Sequence, residues 1–149
     1  MSAPALRPGT AEDHTALLDL WLRSVRATHT FLTEADIRAL HPLVRDHALP
    51  ALELWALEED GRLIGWMGLD GAKLEALFID PDHAGKGHGR RLVGHARALK
   101  GPLTLDVNEQ NPRAVAFYRR LGFRVTGRSD LDGQGRPFPL LHMAEGEYA

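Results

Sequence analysis

From Leu77 to Val93 the chain reads LFIDPDHAGKGHGRRLV. An apolar run ends at Asp80-Pro81, glycines alternate at positions 85, 87 and 89, and cations stand at Lys86, Arg90 and Arg91. Leu92, Val93, Ala96 and Leu99 then recur at helical spacing, so the glycines lie where a strand passes into a helix. The first turn of a helix leaves main-chain N–H groups without partners, and the helix dipole adds positive charge there. Glycine lets the main chain approach an anion closely. The chemistry implied is the capture of a phosphate, in a cradle of Ala84, Gly85, Lys86, Gly87, His88, Gly89 and Arg90. Two other phosphate loops fail. A P-loop needs Gly-Lys-Ser/Thr, whereas Gly87 follows Lys86. A dinucleotide G-x-G-x-x-G would need glycine at Arg90 or at Leu92.

A second constellation follows. Asn111-Pro112-Arg113-Ala114-Val115-Ala116-Phe117-Tyr118-Arg119-Arg120-Leu121-Gly122-Phe123 resembles the N-x-x-A-x-x-F-Y-x-x-x-G-F signature of the GNAT acyltransferase superfamily. The glycine loop resembles that superfamily's acetyl-CoA motif, R/Q-x-x-G-x-G/A. Gly87 and Gly89 fill its glycine positions, and Ala84 stands where Arg or Gln is usual. The stretches Trp21 to Leu32, Asp106 to Asn111 and Pro137 to Leu141 also resemble a subgroup of small, poorly characterised bacterial acetyltransferases.

The resemblance implies a single GNAT domain over residues 1–149. It implies an α/β (α+β) fold, a mixed and mostly antiparallel sheet of about seven strands with about four helices. The sheet would splay between its fourth strand, Lys73 to Ile79, and its fifth, Leu103 to Asn108. The pantetheine arm of acetyl-CoA would lie along Leu77, Phe78 and Ile79, its pyrophosphate on the N–H groups from Gly85 to Arg90, with Asn111 and Phe117 adding contacts. Tyr118 would point its hydroxyl at the sulfur. Reference pKa values, about 10 for a phenol and about 8.5 for a thiol, favour a hydrogen bond to the departing thiolate over full proton donation. A lysine-type amine, of pKa about 10.4, must lose a proton before it attacks. Glu75 or Asp106 could take that proton through a water, and Asn108 could orient the water or the substrate. A main-chain N–H near Phe78 or Ile79 is the expected oxyanion donor. The acceptor pocket is expected around Thr28 to Leu32, with His29 and Phe31 as substrate contacts and Trp21 as a further candidate whose helical phase points to the core.

The activity implied is direct transfer from acetyl-CoA, in a ternary complex, to a primary amine of a small molecule, peptide or protein. The alternative is a CoA-binding sensor without turnover, favoured by Ala84.

The remaining elements must position these groups. Ala3 to Arg7 reads as a strand. Thr10, with Asp13 in the capping-box position, starts a helix to about Arg26, and Thr33 caps another to about His47, with Pro50 marking its end. Leu52 to Glu58, Leu63 to Leu69 and Lys73 to Ile79 alternate with Asp-Gly turns, as an antiparallel meander does. Asn111 caps the last helix, Gly122 stops it, and Phe123 to Arg128 and Leu140 to Ala144 close the sheet.

Composition narrows the setting. The chain of 149 residues is 44% hydrophobic and 26% charged, with a formal net charge of -2, which gives no overall attraction to nucleic acid or membranes. It has no cysteine, which excludes disulfides and thiolate chemistry. No apolar run approaches the roughly 20 residues that span a bilayer, and no signal pattern opens the chain. A cytoplasmic monomer or homodimer is expected. The eight histidines are scattered without HExxH or a comparable pairing, so no metal is expected.

Overall fold

Thr10 and Thr33 each open a helical segment by the same device. In a computed structural model, which describes residues 3–146, the Asp13 carboxylate accepts the Thr10 N–H at 2.7 Å and the Asp36 carboxylate accepts that of Thr33 at 2.9 Å. These capping boxes satisfy donors that the first turn leaves unpaired. Helix α1 (His14–Thr28) buries Leu17, Leu20, Trp21, Ser24 and Val25, a stripe of helical period. Helix α2 (Glu34–Leu43) holds Pro42, which removes one ladder donor just before the turn widens at Val44–Ala48. One more turn, Leu49–Ala51, follows. The segment therefore runs past Pro50 and ends where Leu52 turns extended.

The strands are β1 (Ala5–Pro8), β2 (Glu53–Glu59), β3 (Arg62–Asp70), β4 (Lys73–Ile79), β5 (Thr104–Asn108), β6 (Arg124–Ser129) and β7 (Leu140–Ala144). Among the described residues they form one seven-stranded sheet, ordered β1-β2-β3-β4-β5-β7-β6. Tight turns at 60–61 and 71–72 set Glu59 opposite Arg62 and Asp70 opposite Lys73. Helix α3 (His88–Lys100) carries the chain from β4 to β5, and that crossover makes them the parallel pair in an otherwise antiparallel sheet. Helix α4 (Pro112–Arg120) precedes the β6–β7 hairpin. The fold is the mixed sheet with four principal helices that the sequence pattern implied.

The sheet is covered on both faces. On one, Met67, Leu69, Leu74, Leu105 and Val107 pack with Leu92, Val93 and Ala96 of α3, and Phe117 and Tyr118 lie partly buried against them. On the other, α1 and α2 press Leu17, Leu20, Trp21 and Ile37 onto Leu54, Ala56 and Trp66.

Two features open the sheet. Strands β4 and β5 pair only at Lys73↔Thr104 and Leu74↔Leu105, and part beyond them. At that point Leu74 pairs with Leu69 and Ala76 with Gly68, so Glu75 is the extra residue of a bulge. A bulge bends its strand and re-aims the side chains beyond it.

Asp80 closes β4 and is fully buried. Arg23 of α1 reaches it at 2.7 Å, and the Asp82 N–H donates to it at 2.9 Å. Burial opposes the charge, but these hydrogen bonds outweigh burial and hold the carboxyl below its usual range. Removing one partner of such a pair leaves the other facing a hole, so Asp80→Ala should cost about 3 kcal/mol in urea denaturation at neutral pH. The folded carboxyl titrates lower than the unfolded one. Its contribution is therefore complete above the unfolded value and is lost as pH falls through the folded one. An unchanged denaturation midpoint would refute this role for Asp80.

Candidate active site

The start of α3 has the form an anion site needs. Gly87 is the N-cap at φ +83°, and Gly85 lies at φ +76°. The ladder begins with the Arg91 N–H donating to the Gly87 carbonyl at 3.0 Å. Among the described residues the N–H groups from Gly85 to Arg90 have no acceptor. A Cβ built on Gly85 or Gly87 meets nothing within 4 Å, so space lies open before those amides. Gly89 has a further duty. A Cβ there would lie 3.1 Å from Phe117 Cζ, so its bareness lets α3 pass close to α4.

Lys86 and Arg90 are exposed and make no ion pair among the described residues. Arg91 is committed elsewhere, donating to the Pro4 carbonyl. Ala84 is exposed, and its N–H reaches the Pro81 carbonyl at 3.4 Å. His88 is kept toward its neutral form by burial first and by His83 second.

Leu77, Phe78 and Ile79 pair with β3 on one side only, since β5 has already parted from β4. Tyr118 stands on α4 between Phe117, with ring centroids 5.1 Å apart, and Phe123, at 5.6 Å. Its hydroxyl has no hydrogen-bond partner among the described residues, and burial pushes the phenol well above its ordinary value. The group is neutral at physiological pH and free to donate one hydrogen bond. Asn111 accepts the Ala114 N–H at 3.3 Å and so caps α4.

At the mouth of the splay the side chains form a charged chain. The Lys73 ammonium lies 3.1 Å from Glu75 and 3.0 Å from Asp106. His142, opposite Asp106 in the β5–β7 register, brings its Nδ1 to 2.6 Å from that carboxylate. Its Nε2 lies 2.7 Å from the Ser129 hydroxyl. Burial alone would raise the Asp106 carboxyl, but hydrogen bonds from His142 and Lys73 hold it below its usual range. Burial opposes the Lys73 charge too, and its hydrogen bonds to Asp106 and Glu75 overcome this and raise it. Both carboxylates singled out from sequence thus already carry a cation.

Of the residues expected to contact the acceptor, His29 and Phe31 stand together. The His29 ring lies 5.5 Å from Phe31, and Phe31 lies 6.1 Å from Phe138 in the β6–β7 connection. Burial lowers the His29 pKa. Asn108 serves the turn after β5, its side chain accepting the Gln110 N–H at 2.9 Å. Trp21 is 4% exposed and belongs to the core beneath α1, as its helical phase indicated. Sequence reasoning missed Lys73, Ser129, His142 and Phe138. Only Lys73 left a signal, the alternation that puts it two places before Glu75.

Two shallow cavities, of about 370 and 420 Å3, open beside Arg23, and the splay residues line neither. Among the described residues no cluster of His, Asp or Glu is placed to hold a metal ion, and no helix is long and apolar enough to cross a membrane.

A sheet opened between β4 and β5, with unpartnered amides at the helix start after β4, is an arrangement able to seat an extended arm and a phosphate. The family model "Acetyltransferase (GNAT) domain" matches residues 50–125, and the chain belongs to that family. It is an N-acetyltransferase, of the class that moves an acetyl group from acetyl-CoA to an amine. It is 47% identical over 139 residues to the peptidyl-lysine N-acetyltransferase YjaB of Salmonella typhimurium, a match covering 93% of this chain and 95% of that protein. The apo-form solution structure of YjaB from Escherichia coli aligns with a TM-score of 0.89 at 43% identity, covering 99% of this chain and 100% of that one. The PaiA N-acetyltransferase of Thermoplasma acidophilum, solved with coenzyme A, shares the fold at a TM-score of 0.77 and 21% identity, over 99% of this chain and 100% of that one.

Proposed function

We propose that this enzyme acetylates lysine side chains of a protein or peptide, by direct transfer from acetyl-CoA. The observation that carries this reading is the run of unpartnered amides from Gly85 to Arg90 beside the parted strands. A pyrophosphate fits the amides and an extended amide-bearing arm fits the open edge of β4. The near full-length likeness to a peptidyl-lysine N-acetyltransferase supports the acceptor class.

In this reading Leu77, Phe78 and Ile79 hold the pantetheine arm through their main chain. Gly85 to Arg90 bind the diphosphate, with Lys86 and Arg90 as cationic contacts and Asn111 and Phe117 at the flank. A main-chain N–H near Phe78 or Ile79 stabilises the oxyanion. Tyr118 donates a hydrogen bond to the sulfur as it departs. His29 and Phe31, with Phe138 beside them, border the slot that admits the lysine chain. Bringing thioester and amine into one slot supplies much of the rate.

Thiol release from acetyl-CoA, measured over a panel of lysine peptides, peptides with only a free α-amine, and small amines, tests the function. Release with the lysine peptides and acetylation at Nζ are expected. Binding of acetyl-CoA without thiol release for any amine would return the chain to the sensor reading that Ala84 favours.

A further inference from the structure

We propose that the starts of α3 and α4 form a second phosphate site, in which Arg90 and Arg113 hold the ribose 3′-phosphate of acetyl-CoA and so select it over its 3′-dephospho form. This rests on the acetyl-CoA binding proposed above and extends it to a group that the amides from Gly85 to Arg90 do not account for.

Helix α3 reads HGRRLVGHARALK and helix α4 reads PRAVAFYRR. Neither holds an acidic residue, although the chain carries 20 of them and a formal net charge of -2. The cations at the far end of α3 are engaged, Arg97 with Glu145 and Lys100 with Glu53. By contrast, the side chains of Lys86, Arg90, Arg113, Arg119 and Arg120 are exposed and make no ion pair or hydrogen bond among the described residues. No side chain of either helix offsets these charges, and an anion brought to them gains from several at once.

Topology gathers these cations at the cofactor loop. Strands β4 and β5 are parallel, so both end at one edge of the sheet, and α3 and α4 start from that edge. Both helices lie on one face, since Leu92 and Val93 of α3 and Val115 and Phe117 of α4 join the same core. A Cβ on Gly89 would lie 3.1 Å from Phe117 Cζ, so the helices approach closely near the start of α3. Further along, the Arg97 guanidinium donates to the Leu121 carbonyl just past α4. The two contacts come in the same order along both helices, which therefore run in the same sense.

Arg90 precedes Arg97 by two turns and leaves α3 on the same side, the side that faces α4. Arg113 precedes Phe117 by one turn on the same stripe of α4, about 6 Å nearer the helix start. It therefore stands level with the loop from Gly85 to His88, across from Arg90. Gly94, between Arg90 and Arg97 on that side, is exposed, and a Cβ there would meet nothing within 4 Å. Space is thus open beside the arginines for the nucleoside that carries the phosphate.

The chemistry of the ligand matches this division. Its diphosphate suits bare amides at a helix start. Its 3′-phosphate is a monoester one ribose away, with nearly two negative charges at neutral pH and three terminal oxygens. Such a group suits the planar fork of a guanidinium, which binds two oxygens at once. Arg90 stands between the two phosphate groups, whereas Arg113 serves the 3′-phosphate alone. Arg119 and Arg120, at the far end of α4, add attraction at longer range.

The experiment is titration calorimetry of the purified protein with acetyl-CoA and with acetyl-3′-dephospho-CoA, for the wild type, Arg113→Ala and Arg113→Lys. We expect the wild type to bind the dephospho form about 10-fold more weakly. Arg113→Ala should bind acetyl-CoA about 10-fold more weakly than the wild type does, yet hold the dephospho form as well as the wild type. Arg113→Lys should fall between, because an ammonium keeps the charge and loses the fork. Raising salt from about 0.05 to about 0.5 M should shrink the wild-type preference, since exposed charges are screened. A thermal melt checks the fold of each variant, and if Arg113→Ala does not fold, Arg113→Lys decides. Equal affinity of the wild type for the two forms would overturn the site. So would an Arg113 variant that loses the same factor for both forms, because Arg113 would then serve the diphosphate or the helix. Binding is what is read, so the site is judged even where no amine is found to accept acetyl. A wild type that binds neither form removes the acetyl transfer and the site together.

Discussion

Replacing Tyr118 by phenylalanine is expected to lower kcat by about 100- to 1000-fold while leaving the dissociation constant of acetyl-CoA unchanged. The substitution removes one oxygen and keeps the ring that packs between Phe117 and Phe123. The partly buried cluster under α4 therefore stays filled. What is lost is a hydroxyl with no other partner among the described residues, placed on the helix that flanks the open strands. Its worth lies in the transition state, where negative charge grows on sulfur, so the loss belongs in kcat. Burial raises the phenol above its ordinary value. Full proton transfer to a thiolate is already uphill by roughly 2 kcal/mol between free groups, and burial of the phenol makes it harder. A hydrogen bond is the role that survives. Stopped-flow turnover beside calorimetric titration with acetyl-CoA makes the measurement. Unchanged turnover would remove Tyr118 from the chemistry.

The second large effect is on cofactor affinity. Gly87→Val should weaken acetyl-CoA binding about 100-fold, equivalent to about 2.7 kcal/mol. Two costs add. A side chain at φ +83° is strained by roughly 1–2 kcal/mol, more for a branched one. The branched group also stands in the open space before the amides from Gly85 to Arg90, which is where the diphosphate must come. Because a Cβ at Gly87 touches nothing within 4 Å, the packing of α3 on the sheet is left alone. The same change at Gly89 would act through Phe117 and so confound folding with binding. Titration calorimetry beside a thermal melt separates these. Full affinity in a folded Gly87→Val protein would show that the diphosphate sits elsewhere.

The local devices of the molecule were legible because each is complete within a few residues. Thr10 with Asp13 and Thr33 with Asp36 begin helices through side chains of their own first turn. The alternating glycines before α3 announce an anion site, since helix geometry alone leaves those amides bare. The F-Y pair on α4 and the loop, standing in order, were enough to identify the family. Other features had no local signal. The joining of Asp106 to His142 depends on a register between β5 and β7 across the whole β6–β7 hairpin. The capture of both carboxylates by Lys73 needs β4 and β5 to meet at just two pairs and then part. Glu75 became a bulge residue, and Gly89 a close-contact residue, only once neighbouring strands and helices were in place. Propensity, capping and turn spacing therefore determined which elements form, since they act over a turn or two, and the likeness of two motifs to a known family pointed to the chemistry those elements serve. Tertiary structure decided which of several plausible groups hold one another's protons, because a side chain's partners are set by strand pairing between residues far apart in the chain.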